Sequence, residues 1–176
     1  LRAGKGSYYE GGIRVPFIMK WPNKIDAGVN KKTNVSHLDI YRTLQEIVNP
    51  KIGVKKLDGI NLKSQFKGPS QLERDIFYHF PIYLEAYNKT EDRGRDPLFR
   101  TRPGSVIISG KWKLHHYFED DGTELYNLET DIGESEDLSD KEPKIVERLK
   151  HSLENWRLKE KAFIPNEKNP FYSSIF

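Results

Sequence analysis

With 176 residues, 36% of them hydrophobic and 31% charged, the chain is long enough for one domain with a modest core, and its composition is that of a soluble protein. Its longest apolar stretches, such as Val15 to Met19, have strand length and fall far short of the roughly 20 apolar residues of a transmembrane helix. The absence of cysteine excludes disulfides, zinc–thiolate sites and cysteine nucleophiles.

The net charge of +3 conceals an uneven distribution. Residues 119–142 carry eleven acidic side chains against one lysine, so the remainder is basic and suits an anionic partner. Scattered solvated lysines account for the charge equally well, and no arginine-rich or aromatic-interleaved basic run points to nucleic acid.

In chain order, Gly4-Lys5-Gly6 and Gly11-Gly12 predict an opening loop. The compact apolar run Ile13 to Trp21, ended by Pro22-Asn23, predicts a buried strand with Val15, Phe17 and Met19 on one face. From Ser36, a suitable N-cap, the residues Leu38, Ile40, Tyr41, Leu44, Ile47 and Val48 recur at helical spacing until Asn49-Pro50, which predicts an amphipathic helix. A polar linker with Gly53, Asp58-Gly59 and Gly68-Pro69 follows, with a short helix expected around Leu62 to Phe66.

Beyond the linker, Asp75 to Leu84, Ser105 to Ser109, Lys111 to Phe118 and Glu124 to Leu128 are short β-favouring segments separated by turn residues, Gly110 and Asp121-Gly122 among them. They predict an antiparallel sheet of about four strands. From Asp140 the period turns helical: Ile145, Leu149, Leu153 and Trp156 share one face, and Pro143 sits in the first turn of a helix expected from roughly Pro143 to Trp156 that covers the sheet. The tail from Ala162 to Phe176 is irregular and is expected to wrap a surface. The fold class expected for the chain is α+β, divided into residues 1–72 and 73–176.

The chemistry concentrates at the start. Glycines on both sides of Lys5 let the backbone approach a ligand closely, and an ammonium held there is a compact charge suited to a sulfate or phosphate oxygen. Taken alone, Gly-Lys-Gly reads first as a solvated turn, and it lacks the spacing and the following Ser or Thr of a phosphate-binding P-loop. Glu10 and Arg14 lie four apart, but Gly11-Gly12 between them argue against a helix, and both read as structural supports of the lysine loop. His115 and His116 alternate across a strand, so they cannot share one metal. Asp120-Asp121 reads as a hairpin turn beside Gly122, without converging oxygen ligands around it in sequence.

The whole opening segment, Gly4-Lys5-Gly6, two residues, then Tyr9-Glu10-Gly11-Gly12 and Ile13-Arg14-Val15-Pro16, resembles the signature of type I, formylglycine-dependent sulfatases of the arylsulfatase family. Pro16 to Ile25, Val35 to Leu44, Gly110 to Leu114, Glu124 to Leu128 and then Asp131, Gly133-Glu134 and Asp137-Leu138 are similar to successive parts of the same family. The resemblance implies an alkaline-phosphatase-like α/β fold for the whole protein. Residues 1–72 would close its large catalytic domain, and 73–176 would form the small C-terminal subdomain. It further implies hydrolysis of sulfate esters, of a sulfated glycan or aryl sulfate, with Lys5 touching the sulfate and the ester oxygen and with His79 and Arg102 at the substrate rim.

What the resemblance requires and the chain lacks is equally specific. The Cys/Ser-x-Pro-x-Arg motif that carries the formylglycine is absent. The family holds calcium with an N-terminal Asp-Asp pair and an Asp-Asn pair just upstream of the lysine motif, and Asp120-Asp121, in its hairpin turn, does not stand in for them. The expectation is therefore a missing N-terminal half that supplies nucleophile and calcium ligands, a chain inactive by itself, and an uncovered strand that promotes self-association. By family, the compartment is periplasmic, extracellular or lysosomal in type; neither nucleic acid nor membrane is expected as a partner. The rival readings are a phosphatase or phosphonate hydrolase of the same superfamily and a non-enzymatic glycan-binding or interface domain.

Overall fold

The four β segments read from the sequence pair in one antiparallel sheet. In the computed structural model, which describes residues 1–28, 33–50, 57–67, 72–88, 94–95 and 98–170, strands β1 (Asp75–Phe80), β4 (Gly104–Ser109), β5 (Trp112–Tyr117) and β6 (Thr123–Asn127) lie in the order β1-β4-β5-β6. Between β1 and β4 the chain leaves the sheet and makes a separate two-stranded ribbon of β2 (Leu84–Glu85) and β3 (Phe99–Thr101). The β4–β5 turn is the tight one that Gly110 predicts: its φ of 57° is open to glycine at no cost, and Ser109 faces Trp112 across it.

Register decides what each face carries. Phe77, Ile107, Leu114 and Leu125 are successive cross-strand partners or share their parity, and Ile107, Leu114 and Leu125 are fully buried. Helix α3 (Pro143–Glu160) closes this face with Leu149 and Leu153, while Trp156 stacks on Phe77 at 5.0 Å between ring centroids. Fully burying each such side chain contributes about 1.5–3 kcal/mol. Pro143 opens α3 as expected, and the helix runs one turn past Trp156 before Lys161 ends it in a left-handed conformation, φ 52°. The opposite face carries Tyr78, Val106, Lys113, His115, Tyr117, Glu124 and Tyr126, and the first fifteen residues of the chain cover it. Leu1–Val15 and the chain from Asp75 thus form one compact unit, and Pro16–Arg74 a second. The division expected between residues 72 and 73 falls close to that second boundary, but it had grouped the opening residues with the other half.

In the second unit, α2 (His37–Val48) begins with a capping box: Ser36 caps the first turn, and Asp39 accepts from the Ser36 amide at 2.6 Å. The buried side of α2 is polar. Asp39 also receives Arg74 at 2.5 and 2.8 Å and the Ile60 amide at 2.9 Å, and Thr43 accepts from the Leu62 amide at 2.9 Å. The 3-10 turn Leu62–Gln65 follows, and Phe66 meets Trp21 edge to face. The helix is amphipathic as expected, and its apolar stripe is largely open to solvent, with Leu44 54% and Val48 82% exposed. The strand expected over Ile13 to Trp21 does not form. Its first residue ends a single helical turn, α1 (Glu10–Ile13), and the rest pairs with no strand among the described residues, leaving Val15 77% and Ile18 91% exposed. An extended segment becomes a strand only against a ladder partner, and hydrophobic periodicity alone does not supply one. Gly53, Gly68-Pro69 and residues 171–176 of the tail lie outside the described residues.

Candidate active site

The lysine loop is built by residues that look away from Lys5. Arg2 reaches Tyr126 Oη at 3.0 Å and the Glu134 carbonyl at 2.9 Å, and its guanidinium lies 4.0 Å over the Tyr9 ring. Its own carbonyl accepts from the Gly11 amide at 3.0 Å, while the Ser7 amide donates to Gly4 O at 3.1 Å, so the loop closes on itself. Close approach explains the glycine pair, since a Cβ on Gly11 would collide with the Arg2 and Ala3 carbonyls, and one on Gly12 with that of Ser7.

Tyr8, Tyr9 and Glu10 then anchor the loop in the sheet. The Tyr8 hydroxyl lies 2.8 Å from Phe80 O and 2.7 Å from Gly104 O, bridging β1 and β4, and Tyr9 donates to Glu124 Oε2 at 2.7 Å. Glu10 is the keystone: one carboxylate oxygen takes Lys113 Nζ at 3.0 Å, the other takes Arg14 Nη1 at 3.0 Å, and its amide donates to Glu134 Oε2 at 2.5 Å. Lys113 also meets Glu134 Oε1 at 2.8 Å, and His115 Nε2 lies 3.4 Å from the same oxygen. Lys113, His115 and Glu134 are inaccessible to solvent, and charges so buried persist only when paired.

Burial lowers the pKa of His115 despite the opposing Glu134 hydrogen bond, so the imidazole is neutral at pH 7. For Glu134 burial works the other way and would raise the carboxyl, but the His115 hydrogen bond and the Lys113 charge outweigh it and hold it below the ordinary carboxylate range. Burial, with Glu124 close by, pushes the Tyr9 and Tyr117 hydroxyls well above theirs, so both remain protonated donors.

Above this buried foundation, Lys5 is exposed at the tip of the loop. Glu10 and Arg14 support it as the sequence reading expects, through a direct ion pair, although Gly11-Gly12 do not prevent the single turn α1 between them. The other two candidates have partners of their own. His79 lies on β1 with the parity of Phe77, on the α3 face of the sheet; its ring nitrogens sit 2.8 Å from Ser105 Oγ and 2.8 Å from the Phe163 carbonyl. Arg102 is buried just after β3, where it donates to Glu119 Oε2 at 2.6 Å, and Tyr83 donates to the other oxygen of that carboxylate.

No group of three or more His, Cys, Asp or Glu side chains among the described residues is arranged to hold a metal ion. Asp120 is taken by Arg95 at 2.7 and 3.1 Å, and Asp121 by His116 and Lys150, each at 2.6 Å. His115 and His116 do face opposite sides of the sheet, towards Glu134 and Arg157 respectively. No described helix is long and apolar enough to cross a membrane.

Sequence reasoning missed Arg2, Lys113 and Glu134. Lys113 and Glu134 fall in segments that resemble the family, but no role attached to them: the alternation of Lys113 and His115 reads as a solvent-facing row when nothing shows that a loop about a hundred residues earlier covers it.

Known proteins resemble this chain in sequence and in fold. Residues 4–159 match the family described as N-sulphoglucosamine sulphohydrolase, C-terminal. A sulfatase from Formosa agariphila is 34% identical over 179 aligned residues, covering 92% of this chain and 30% of that protein. Human arylsulfatase A is 30% identical, covering 90% of this chain and 28% of its own length. Among solved structures, a putative sulfatase from Bacteroides thetaiotaomicron superposes with a TM-score of 0.63 at 23% identity, covering 95% of this chain and 35% of that one. A protein in complex with its substrate D-glucosamine-2-N,6-O-disulfate superposes with a TM-score of 0.60 at 22% identity over 92% of this chain and 31% of that one, and both likenesses establish the fold. The chain belongs to the sulfatase family, as a member of its C-terminal domain family, and spans about 30% of the length of the curated relatives it matches.

Proposed function

We propose that this chain is the C-terminal part of a sulfuric ester hydrolase acting on sulfated carbohydrates, and that Lys5 is its contribution to catalysis. One observation carries the reading: Lys5 is the exposed cation at the tip of a loop whose other residues are committed to a buried, charge-paired foundation. Such a platform costs no reorganisation during the reaction. As the sulfur–oxygen bond of a sulfate ester breaks, negative charge collects on the leaving oxygen, and an ammonium held beside it stabilises that state more than the ground state. The nucleophile, a formylglycine in this family, comes from the N-terminal part of the protein. Calcium, which the family holds with an Asp-Asp and an Asp-Asn pair, is in this reading ligated from the N-terminal part as well. The isolated chain accordingly has no turnover. The sugar class is supported by the basic character of the chain outside residues 119–142 and by the family description, which names N-sulphoglucosamine.

The test is Lys5→Ala in the full-length protein with its formylglycine formed. The variant folds normally, since a lysine on an exposed loop buries little apolar surface, and sulfate-ester hydrolysis falls on the order of 10² to 10³-fold. The loss is larger on a sulfated sugar than on an activated aryl sulfate, whose leaving group needs less help. Lys5→Arg recovers part of the rate, because its planar fork places the charge differently. Wild-type rates for a folded Lys5→Ala protein on both substrates would overturn the assignment.

A further inference from the structure

Two consecutive side chains of β3 hold two consecutive carbonyls of the lysine loop. Arg100 Nη1 donates to Lys5 O at 2.6 Å, and Thr101 Oγ1 donates to Gly6 O. We propose that Arg100 and Thr101 are positioning residues that fix the direction in which the Lys5 side chain leaves the loop. The proposal rests on the reading of Lys5 given above and adds to it the part of the fold that aims the ammonium.

The need for such a clamp follows from the sequence of the loop. Lys5 stands between two glycines, residues with the widest choice of backbone conformation, so the local chain does not by itself select the orientation of the peptide that follows Lys5. The direction of a side chain is set by the peptide planes on either side of its Cα. Arg2, Tyr8, Tyr9 and Glu10 hold the base of the loop, at least three residues from Lys5, and leave its tip to be fixed from elsewhere. β3 supplies that constraint at Lys5 O and Gly6 O, and the Arg100 bond is charge-assisted, the stronger kind.

The clamp is itself immobilised. Arg100 and Thr101 are both buried, and the Arg100 guanidinium lies 3.9 Å over the Tyr87 ring. Thr101 pairs with Leu84 of β2, and Leu84 Cδ2 occupies the place a Cβ on Gly6 would need. Gly6 at φ 88° therefore closes the contact from the loop side. The ribbon that leaves the main sheet between β1 and β4 thus meets the loop at its tip.

The experiment uses the full-length enzyme, with Thr101→Val, which removes the donor at constant shape, and Arg100→Gln, each made alone and in the Lys5→Ala background. Misplacing a group by about 1 Å can cost up to about 10²-fold, so a loss of roughly tenfold in kcat on a sulfated sugar is expected from each. The loss on an activated aryl sulfate is smaller, and KM changes little. Thr101→Ser, which keeps the hydroxyl, restores the rate. In the Lys5→Ala background the same substitutions have almost no further effect, because nothing remains to be aimed. Equal losses in the two backgrounds would show a merely structural role and overturn the proposal. So would wild-type kcat for both clamp variants in an enzyme that Lys5→Ala cripples. If Lys5→Ala is itself harmless, the reading of the site falls first and the positioning role with it.

Discussion

His115, Glu134, Lys113 and Glu10 bury four titratable side chains beneath the lysine loop, and the protonation of His115 and Glu134 is coupled to folding. Folded His115 is neutral because burial lowers its pKa, whereas in the unfolded chain it titrates near the ordinary value of 6.5. As pH falls through 6.5 the unfolded state takes up a proton that the folded state refuses, so the stability present above that pH is progressively lost. His79 and His116, also lowered by burial, act with the same sign. Glu134 adds a further loss at lower pH: its contribution is present above 4.5 and disappears as pH falls through its depressed folded value. Glu119 acts with the opposite sign: burial raises its carboxyl to about 7, so its contribution is gained as pH falls through that value. The cluster is therefore read by difference: His115→Gln should lose less melting temperature than the wild type between about pH 7 and pH 5. An identical pH dependence in the two proteins would contradict this account of the cluster. The lysine loop was legible from the sequence because the signature around it is continuous. Lys113 and Glu134 were not, since they meet Glu10 from 103 and 124 residues away and nothing local marks a charged strand residue as buried.

The strands and α3 were legible for a different reason. Period-2 runs bounded by turn residues fix which side chains share a face, and Gly110 fixes the hairpin register, so β4 and β5 meet as expected. The same logic gave α3 through Leu149 and Leu153. Periodicity says nothing of what covers a face, which is why it gave the residues of α2 and left the exposure of its apolar stripe open. The ribbon β2–β3 escaped notice because strands of two and three residues are too short to show a period. For α3 the structure predicts that Leu149→Ala costs about 2–5 kcal/mol, the range for emptying a fully buried leucine site. Leu158→Ala, on an exposed position of the same helix, should stay within about 0.5 kcal/mol of wild type. Chemical denaturation of the two variants checks the pair, and equal losses would mean that α3 does not cover the sheet.

The residues that cover no core of their own say what the chain lacks. Phe17, Ile18, Leu38, Tyr41, Leu44 and Val48, all in the second unit, are large apolar side chains left largely in solvent, more than the scattered hydrophobics of an ordinary surface. A purified chain of these residues alone is expected to self-associate in a concentration-dependent way and to leave an aryl sulfate untouched. Light scattering across a concentration series checks the first expectation, and strictly monomeric behaviour would refute it. Turnover by rigorously purified chain would refute the second.

The excursion between β1 and β4 has a consequence of another kind. Those two strands are neighbours with an unbroken register from Asp75↔Ser109 to Phe80↔Gly104, so the sheet closes whatever the intervening chain does. Connections tolerate insertion, deletion and exchange better than the elements they join, and in this one the buried part is confined, among the described residues, to residues 99–103. The frame that seats the lysine is thus separable from the module that touches its tip. Lineages built on the frame are free to vary that module, and with it the fine placement of one charge, without renegotiating the core.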